Sequence, residues 1–179
     1  MPAFTTDESG AQRLDWAILR DGGVHLYRRP EILNEDRDWL ESNGYRLISF
    51  DCAEGGSAAE MHRSLKEKLS FPDYYGNNLD ALDECVCDDH AIPNSGGLVL
   101  VLNHYDQFVK SVDGGKPSEE GVAGAVLDAF ARAIRHQMLF GKRLMLLVQS
   151  DDPLTDFGAL GGVRATWNSR EWLNKNRGL

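Results

Sequence analysis

The sequence has no long apolar run and almost no cysteine. No apolar stretch in its 179 residues approaches the ~20 that cross a bilayer, so we expect no membrane segment. Residues 1–15 lack the basic start and apolar run of a secretory signal. Only Cys52, Cys85 and Cys87 are present, which is typical of a protein in a reducing compartment rather than of a disulfide framework. We therefore expect a cytoplasmic protein.

Positive charge is missing from one long stretch. No lysine or arginine occurs between Leu69 and Val109, and this stretch contributes −7 of the formal net charge of −9. Its acids are Asp73, Asp80, Asp83, Glu84, Asp88, Asp89 and Asp106. Such a chain repels nucleic-acid phosphates, so we expect no direct nucleic-acid partner, and it attracts basic proteins. Taken alone, an acidic run is most often a solvated surface.

The length suits one domain. We predict a flexible N-terminal arm over residues 1–13 and a single domain over residues 14–179, with its core at 45–149 and extensions at 14–44 and 150–179. Three apolar segments, at residues 45–50, 98–102 and 143–148, alternate with helical patterns. This alternation predicts an α/β fold with a three-stranded parallel core sheet packed with helices. The N- and C-terminal extensions are extra elements and candidates to extend the edges of this sheet.

Helix signals lie between these strands. Ser57 and Glu60 form a capping-box pattern before a helix that carries Met61, Leu65 and Leu69. Asn78 is a good N-cap for a short helix over residues 79–87, whose apolar stripe is Leu79, Leu82 and Val86. Cys85 is interpreted as a small core residue facing the next helix. Ser118 is predicted to cap a long helix over residues 119–138.

The extensions give weaker signals. Residues 14–19 and 24–27 are apolar pieces around Asp21-Gly22-Gly23, which predicts a hairpin. Residues 34–43 are predicted to be a helix that stops at Gly44. Residues 157–179 are placed as an added strand and a terminal helix.

The segment LSFPDYYGNNLDALDEC, residues 69–85, combines the features of a binding surface. Gly76 permits a close approach to the helix start, and tyrosines are rigid amphipathic anchors in interfaces. Asp80 and Glu84 are four residues apart and share one helix face, with Asp83 beside them. Like charges at this spacing weaken an isolated helix by a few tenths of a kcal/mol. A docked cationic partner would explain why the chain tolerates this repulsion.

This segment resembles the barstar family in its Pro-acid-Tyr-Tyr-Gly-x-Asn-Leu-Asp-Ala-Leu run, and the resemblance covers about residues 45–149. It implies a barstar-like fold and an intracellular inhibitor of a small, basic ribonuclease that is barnase-like and guanyl-specific. The inhibitor would block the active site with the acidic helix and the loop before it. The implied partner is an extracellular-type or toxin ribonuclease, bound by a monomer in a one-to-one complex.

The predicted partner-binding residues are Tyr74, Tyr75, Gly76, Asn77, Asn78, Asp80, Asp83, Glu84 and Asp88. The resemblance implies that Tyr74 packs on the nuclease and that Asp80 and Glu84 enter or line its active site. The loop is shaped by Gly76 and Asn78.

Three positions depart from the best-studied family member. Asp83 stands where that member has tryptophan, and Glu84 where it has the shorter aspartate. Arg132 aligns near a position where that member has a further acidic contact, and Asp128 is the nearby acid in this sequence. These departures suggest a different target surface.

Other functions are less well supported by the sequence. Asp80, Glu84, Asp88, Asp89 and His90 could be imagined as a hard-metal site, but they lack any recognised ligand spacing. Zinc on Cys85 and Cys87 with Cys52 or His90 would lack a second ligand pair. His62 and His104 are interpreted as structural.

No nucleophile or phosphate-loop motif occurs, so we expect no catalytic residues, metal or cofactor and no enzyme activity. The remaining alternative is an acidic module for another basic partner, such as a non-ribonuclease toxin.

Overall fold

A computed structural model describes residues 3–9, 13–53, 56–88, 92–93 and 96–179. The helices are α1 (Thr6–Ser9), α2 (Leu14–Arg20), α3 (Pro30–Ser42), α4 (Ala58–Leu69), α5 (Leu79–Cys87), α6 (Tyr105–Asp113) and α7 (Val122–Leu139). The strands are β1 (Val24–Tyr27), β2 (Tyr45–Asp51), β3 (Gly97–Asn103), β4 (Leu144–Gln149), β5 (Ala159–Leu160), β6 (Val163–Arg164) and β7 (Thr166–Trp167). Short 3₁₀ turns follow at Ser169–Glu171 and Asn174–Arg177. No helix within the described ranges combines the length and apolarity needed to cross a bilayer.

The main sheet is parallel throughout and has the strand order β2-β3-β4-β1-β7. The three predicted core strands are β2, β3 and β4, which lie side by side with Leu100 paired to Ile48 and Leu146. Every residue of β4 is buried, as expected of a strand covered on both faces. The α/β fold with a parallel sheet packed with helices is therefore confirmed.

The count of three strands is not confirmed for the whole sheet, which has five strands because the N- and C-terminal extensions supply two more. β1 lies between β4 and β7, with His25 paired to Leu147 on one side and Thr166 on the other. The predicted hairpin around residues 21–23 is wrong, since the segment before it is α2. Gly22 and Gly23 have φ of 98° and 80° and end that helix instead of joining two strands.

α6 was not predicted, and its last residue determines where the long helix begins. The Asp113 carboxylate accepts the N–H groups of Val122 and Ala123 at 2.8 and 2.9 Å, which caps α7 from a distant residue. The Ser118 hydroxyl instead accepts the N–H of Glu120, in the turn before α7. The helix therefore starts at Val122 rather than at the predicted residue 119.

The C-terminal extension is tied to the carboxyl end of β1. The fully buried carboxylate of Glu171 accepts the backbone N–H groups of Arg28 and Arg29 at 3.0 and 2.9 Å. The predicted added strand is β7, whereas the predicted terminal helix is replaced by the two 3₁₀ turns.

The N-terminal extension is fixed by a buried acid. Asp15 accepts hydrogen bonds from the Tyr45 hydroxyl at 2.6 Å and from Arg13. Although burial raises the pKa of Asp15, these hydrogen bonds outweigh it and lower that pKa. Near the start of the chain, the Arg143 guanidinium lies 4.0 Å from the centre of the Phe4 ring. The predicted flexibility of residues 1–13 stays a prediction.

His25 makes the fold sensitive to acid. Its ring is buried, and neither ring nitrogen has a hydrogen-bond partner among the described residues. Burial lowers the pKa of His25 from 6.5 to about 4. Between these two values the unfolded chain binds a proton that the folded chain does not, so the free energy of unfolding falls as pH falls.

We expect His25→Leu to remove this acid sensitivity. Urea unfolding at about pH 7 and pH 5 should show that wild type loses roughly 2 kcal/mol more than the variant between these conditions. An equal loss in both proteins would show that other groups cause the acid sensitivity.

Candidate functional site

The loop between α4 and α5 is held by its own residues. α4 begins with the predicted capping box of Ser57 and Glu60. It ends at Ser70, which has φ of 56°. Tyr75 donates its backbone N–H to the Pro72 carbonyl at 3.0 Å, and Lys66 reaches the Asp73 carbonyl at 3.3 Å. The loop thus has a fixed course into α5.

Its two tyrosines have opposite environments. Tyr74 is 75% exposed, whereas Tyr75, which we expected beside it at the surface, is only 4% exposed. The Tyr75 ring packs against Phe71, with ring centres 4.9 Å apart, and its hydroxyl shares a hydrogen bond with His62 Nδ1. Burial raises the pKa of Tyr75 to about 12 and lowers that of His62. Tyr75 therefore supports the loop from beneath, and His62 has the predicted structural role.

The start of α5 is set by Asn78, as predicted. Its Oδ1 accepts the N–H of Ala81 at 2.8 Å, which satisfies one of the open donors of the helix. Asn77 before it has φ of 51°. A Cβ atom on Gly76 would lie 3.0 Å from Asn78 Nδ2, so glycine suits this close approach. All three residues are exposed.

The rotation of α5 separates apolar from acidic residues. Leu82, Cys85 and Val86 are buried on the side that packs against α7, which confirms Cys85 as a small core residue. Asp80 and Glu84 are exposed one helical turn apart, and their side chains make no hydrogen bond or ion pair with the described residues. Asp88, the C-cap residue, is also exposed, whereas Asp83 is half-buried.

Asp83 is paired within the chain. Arg132 donates from Nε and Nη2 to Asp83 Oδ1 at 3.0 and 2.9 Å, and from Nη1 to Asp128. Asp128 Oδ1 also accepts the N–H of Gly161 at 2.6 Å, which ties the β5–β6 hairpin to α7. The two departures noted at positions 83 and 132 are therefore partners. The i,i+4 spacing could have indicated the Asp128–Arg132 pair, but no local signal links Arg132 to a residue 49 positions away.

The site is an exposed acidic surface on α5. Among the residues that the structure describes, no group of three or more His, Cys, Asp or Glu could hold a metal ion. Asp89 and His90, named in the metal hypotheses, lie outside the described residues. Cavities of about 280 and 380 Å³ lie beside α4 and in the C-terminal extension, and α5 lines neither of them. Exposed carboxylates on a rigid helix suit the binding of a cationic surface.

Comparison with protein families matches the part of the chain that contains this surface. Residues 45–138, more than half of the sequence, match the model of the family described as Barstar (barnase inhibitor). Over 61 residues the chain is 41% identical to "Putative ribonuclease inhibitor YrdF" of Bacillus subtilis (strain 168). That alignment covers 34% of this chain and 63% of the relative, so the chain spans less than two thirds of the relative's length.

Similarity to a solved structure is slight. A chain in "Structure of Drosophila ORC bound to AT-rich DNA and Cdc6" is 17% identical with a TM-score of 0.47. The match covers 76% of this chain and 43% of that one.

The orientation of α5 can be tested through its core contact. Because the Leu82 side chain is fully buried, Leu82→Ala should lower the free energy of unfolding by roughly 2–5 kcal/mol, measured by urea denaturation. Leu139→Ala is the matched control, since that leucine is 84% exposed and its truncation should have little effect. Equal stability of Leu82→Ala and wild type would mean that α5 is rotated differently.

Proposed function

The chain belongs to the barstar family, and from this premise we propose that it inhibits a ribonuclease by covering the active site with the exposed face of α5 and the preceding loop. The proposed target is a small, basic microbial ribonuclease that is barnase-like and guanyl-specific. The related "Putative ribonuclease inhibitor YrdF" supports the choice of a ribonuclease. The observation that carries the proposal is the exposed pair of carboxylates at Asp80 and Glu84. They have no ion-pair partner in the described part of the chain, and they lie inside the region that matches the family.

The charges explain how such a helix could inhibit. A ribonuclease holds its substrate through cationic side chains that bind phosphate and stabilise developing negative charge. Carboxylates on α5 can occupy the place of these phosphates without any chemistry of their own. The formal net charge of −9 should attract a basic enzyme and speed association, and salt should weaken that effect.

The loop supplies the apolar part of the proposed contact. Tyr74 projects from it with 75% of its surface exposed, as suits an aromatic anchor in an interface. The buried Tyr75 contributes indirectly by fixing the loop, and Gly76, Asn77 and Asn78 lead the chain into α5. Rigid elements lose little conformational freedom on binding, which favours affinity.

The acids of α5 contribute unequally in this proposal. Asp80 and Glu84 carry the main charge, and Asp88 adds a carboxylate at the end of the helix. Asp83 contributes less, because Arg132 already neutralises it. The proposed complex contains one copy of each protein.

The proposal places the inhibitor in the cytoplasm, where it would protect a cell from its own secreted ribonuclease or from a toxin of a competitor. Cys52, Cys85 and Cys87 are free thiols, which suits a reducing compartment.

Removal of either carboxylate should weaken inhibition without unfolding the protein. We expect Asp80→Ala and Glu84→Ala each to cost roughly 2 kcal/mol or more of binding free energy, because each leaves a cation of the enzyme buried and unpaired. The measurement is titration into a panel of small basic microbial ribonucleases at low and moderate salt, with RNA cleavage as the readout.

Glu41→Ala is the control for this experiment, since it removes an exposed acid on α3 and changes the net charge equally. It should inhibit like wild type. Near-native inhibition by both α5 variants would refute the site. Failure of the wild type to inhibit any enzyme would point to another basic partner, such as a non-ribonuclease toxin.

A further inference from the structure

Exposed arginines lie on α7, which packs against α5, and on the hairpin that is tied to α7. Arg132 and Arg135 are on α7, and Arg164 is on β6 of the C-terminal hairpin. Arg132 and Arg164 have 48% and 69% of their side-chain surfaces exposed, and Arg135 is also exposed. We call these three residues the basic strip. The candidate surface is therefore acidic on α5 and cationic on the neighbouring elements.

Direct contacts join the strip to the acidic face. Asp128, Arg132 and Arg135 are spaced i, i+4 and i+7, so they share one face of α7. On that face Arg132 binds Asp83 of α5 at 2.9 Å. The α7 part of the strip thus lies next to Asp83 on the acidic helix.

The hairpin of β5 and β6 contacts α7 beside Arg135. Asp128 holds the N–H of Gly161 at 2.6 Å, and a Cβ atom on that glycine would lie 3.2 Å from Arg135 Nη2. Arg135 therefore lies against the hairpin turn.

The arginines differ in how far they are neutralised. Arg132 is shared between Asp83 and Asp128, and Arg164 pairs with Asp156. The Arg135 guanidinium makes no hydrogen bond or ion pair with the described part of the chain and is a free cation at the border of the acidic face. A partner that covers this border must place an acidic or neutral group opposite it, because a second cation there would be repelled.

We propose that the basic strip is the second half of the partner-binding surface and selects a ribonuclease whose cationic active site is bordered by carboxylates. This inference rests on the proposed inhibition of a ribonuclease through α5. In the complex, Asp80 and Glu84 meet the cations of the active site, and Arg135 meets a carboxylate at its rim. The alternating charges fix the orientation of the complex and exclude enzymes with a uniformly basic rim.

The role of the basic strip can be tested by reversing the charge of Arg135. Arg135→Glu removes no intramolecular ion pair among the described residues, and Lys175→Glu makes the same net charge change at an exposed position in the C-terminal 3₁₀ turn. Both variants carry the same added long-range attraction for a basic enzyme, so a difference between them reports a local contact. The inhibition constant of each is measured against every enzyme in the ribonuclease panel, with circular dichroism as a check of folding.

For an enzyme that the wild type inhibits, we expect Arg135→Glu to raise the inhibition constant about tenfold or more relative to Lys175→Glu, as one close charge pair becomes repulsive. Equal constants for the two variants, or tighter inhibition by Arg135→Glu, would overturn the role of the strip and leave inhibition through α5 standing. Failure of wild type and both variants to inhibit any enzyme would refute the proposed function, and this inference with it.

Discussion

The packing of Leu82, Cys85 and Val86 against α7 is the contact on which the acidic face depends. A helix of nine residues is unstable alone in water, and the repulsion between Asp80 and Glu84 weakens it further. Burial of the apolar side holds α5 in place and fixes its rotation. The apolar side of α5 is buried against α7, so the carboxylates on its opposite side face solvent.

α7 is the common support of the proposed binding surface. It buries the apolar side of α5, it is capped by Asp113 of α6, and through Asp128 it holds the β5–β6 hairpin. The same helix presents Arg132 and Arg135 beside the acids. The charge pattern that a partner would meet is therefore set by two helices and a hairpin, while β3 and β4 form the buried base beneath them.

Local signals explain which features could be predicted. The core strands are continuous apolar runs, and Asn78 caps the helix that follows it. The strands and the start of α5 can therefore be recognised within short stretches of sequence. The burial of Tyr75 could not be predicted, because it depends on His62 in the preceding helix. The pairing of Asp83 with Arg132 and the position of β1 between β4 and β7 join distant parts of the chain, and sequence periodicity carries no information about such partners.

In the proposed complex, α5 occupies the phosphate site of a ribonuclease. The most direct test is competition between this protein and a guanosine monophosphate for an inhibited ribonuclease, followed by titration calorimetry. We predict exclusive binding, so that the apparent dissociation constant of the inhibitor rises in proportion to the nucleotide concentration once the nucleotide saturates the enzyme. An unchanged dissociation constant, with nucleotide and inhibitor bound together, would contradict it.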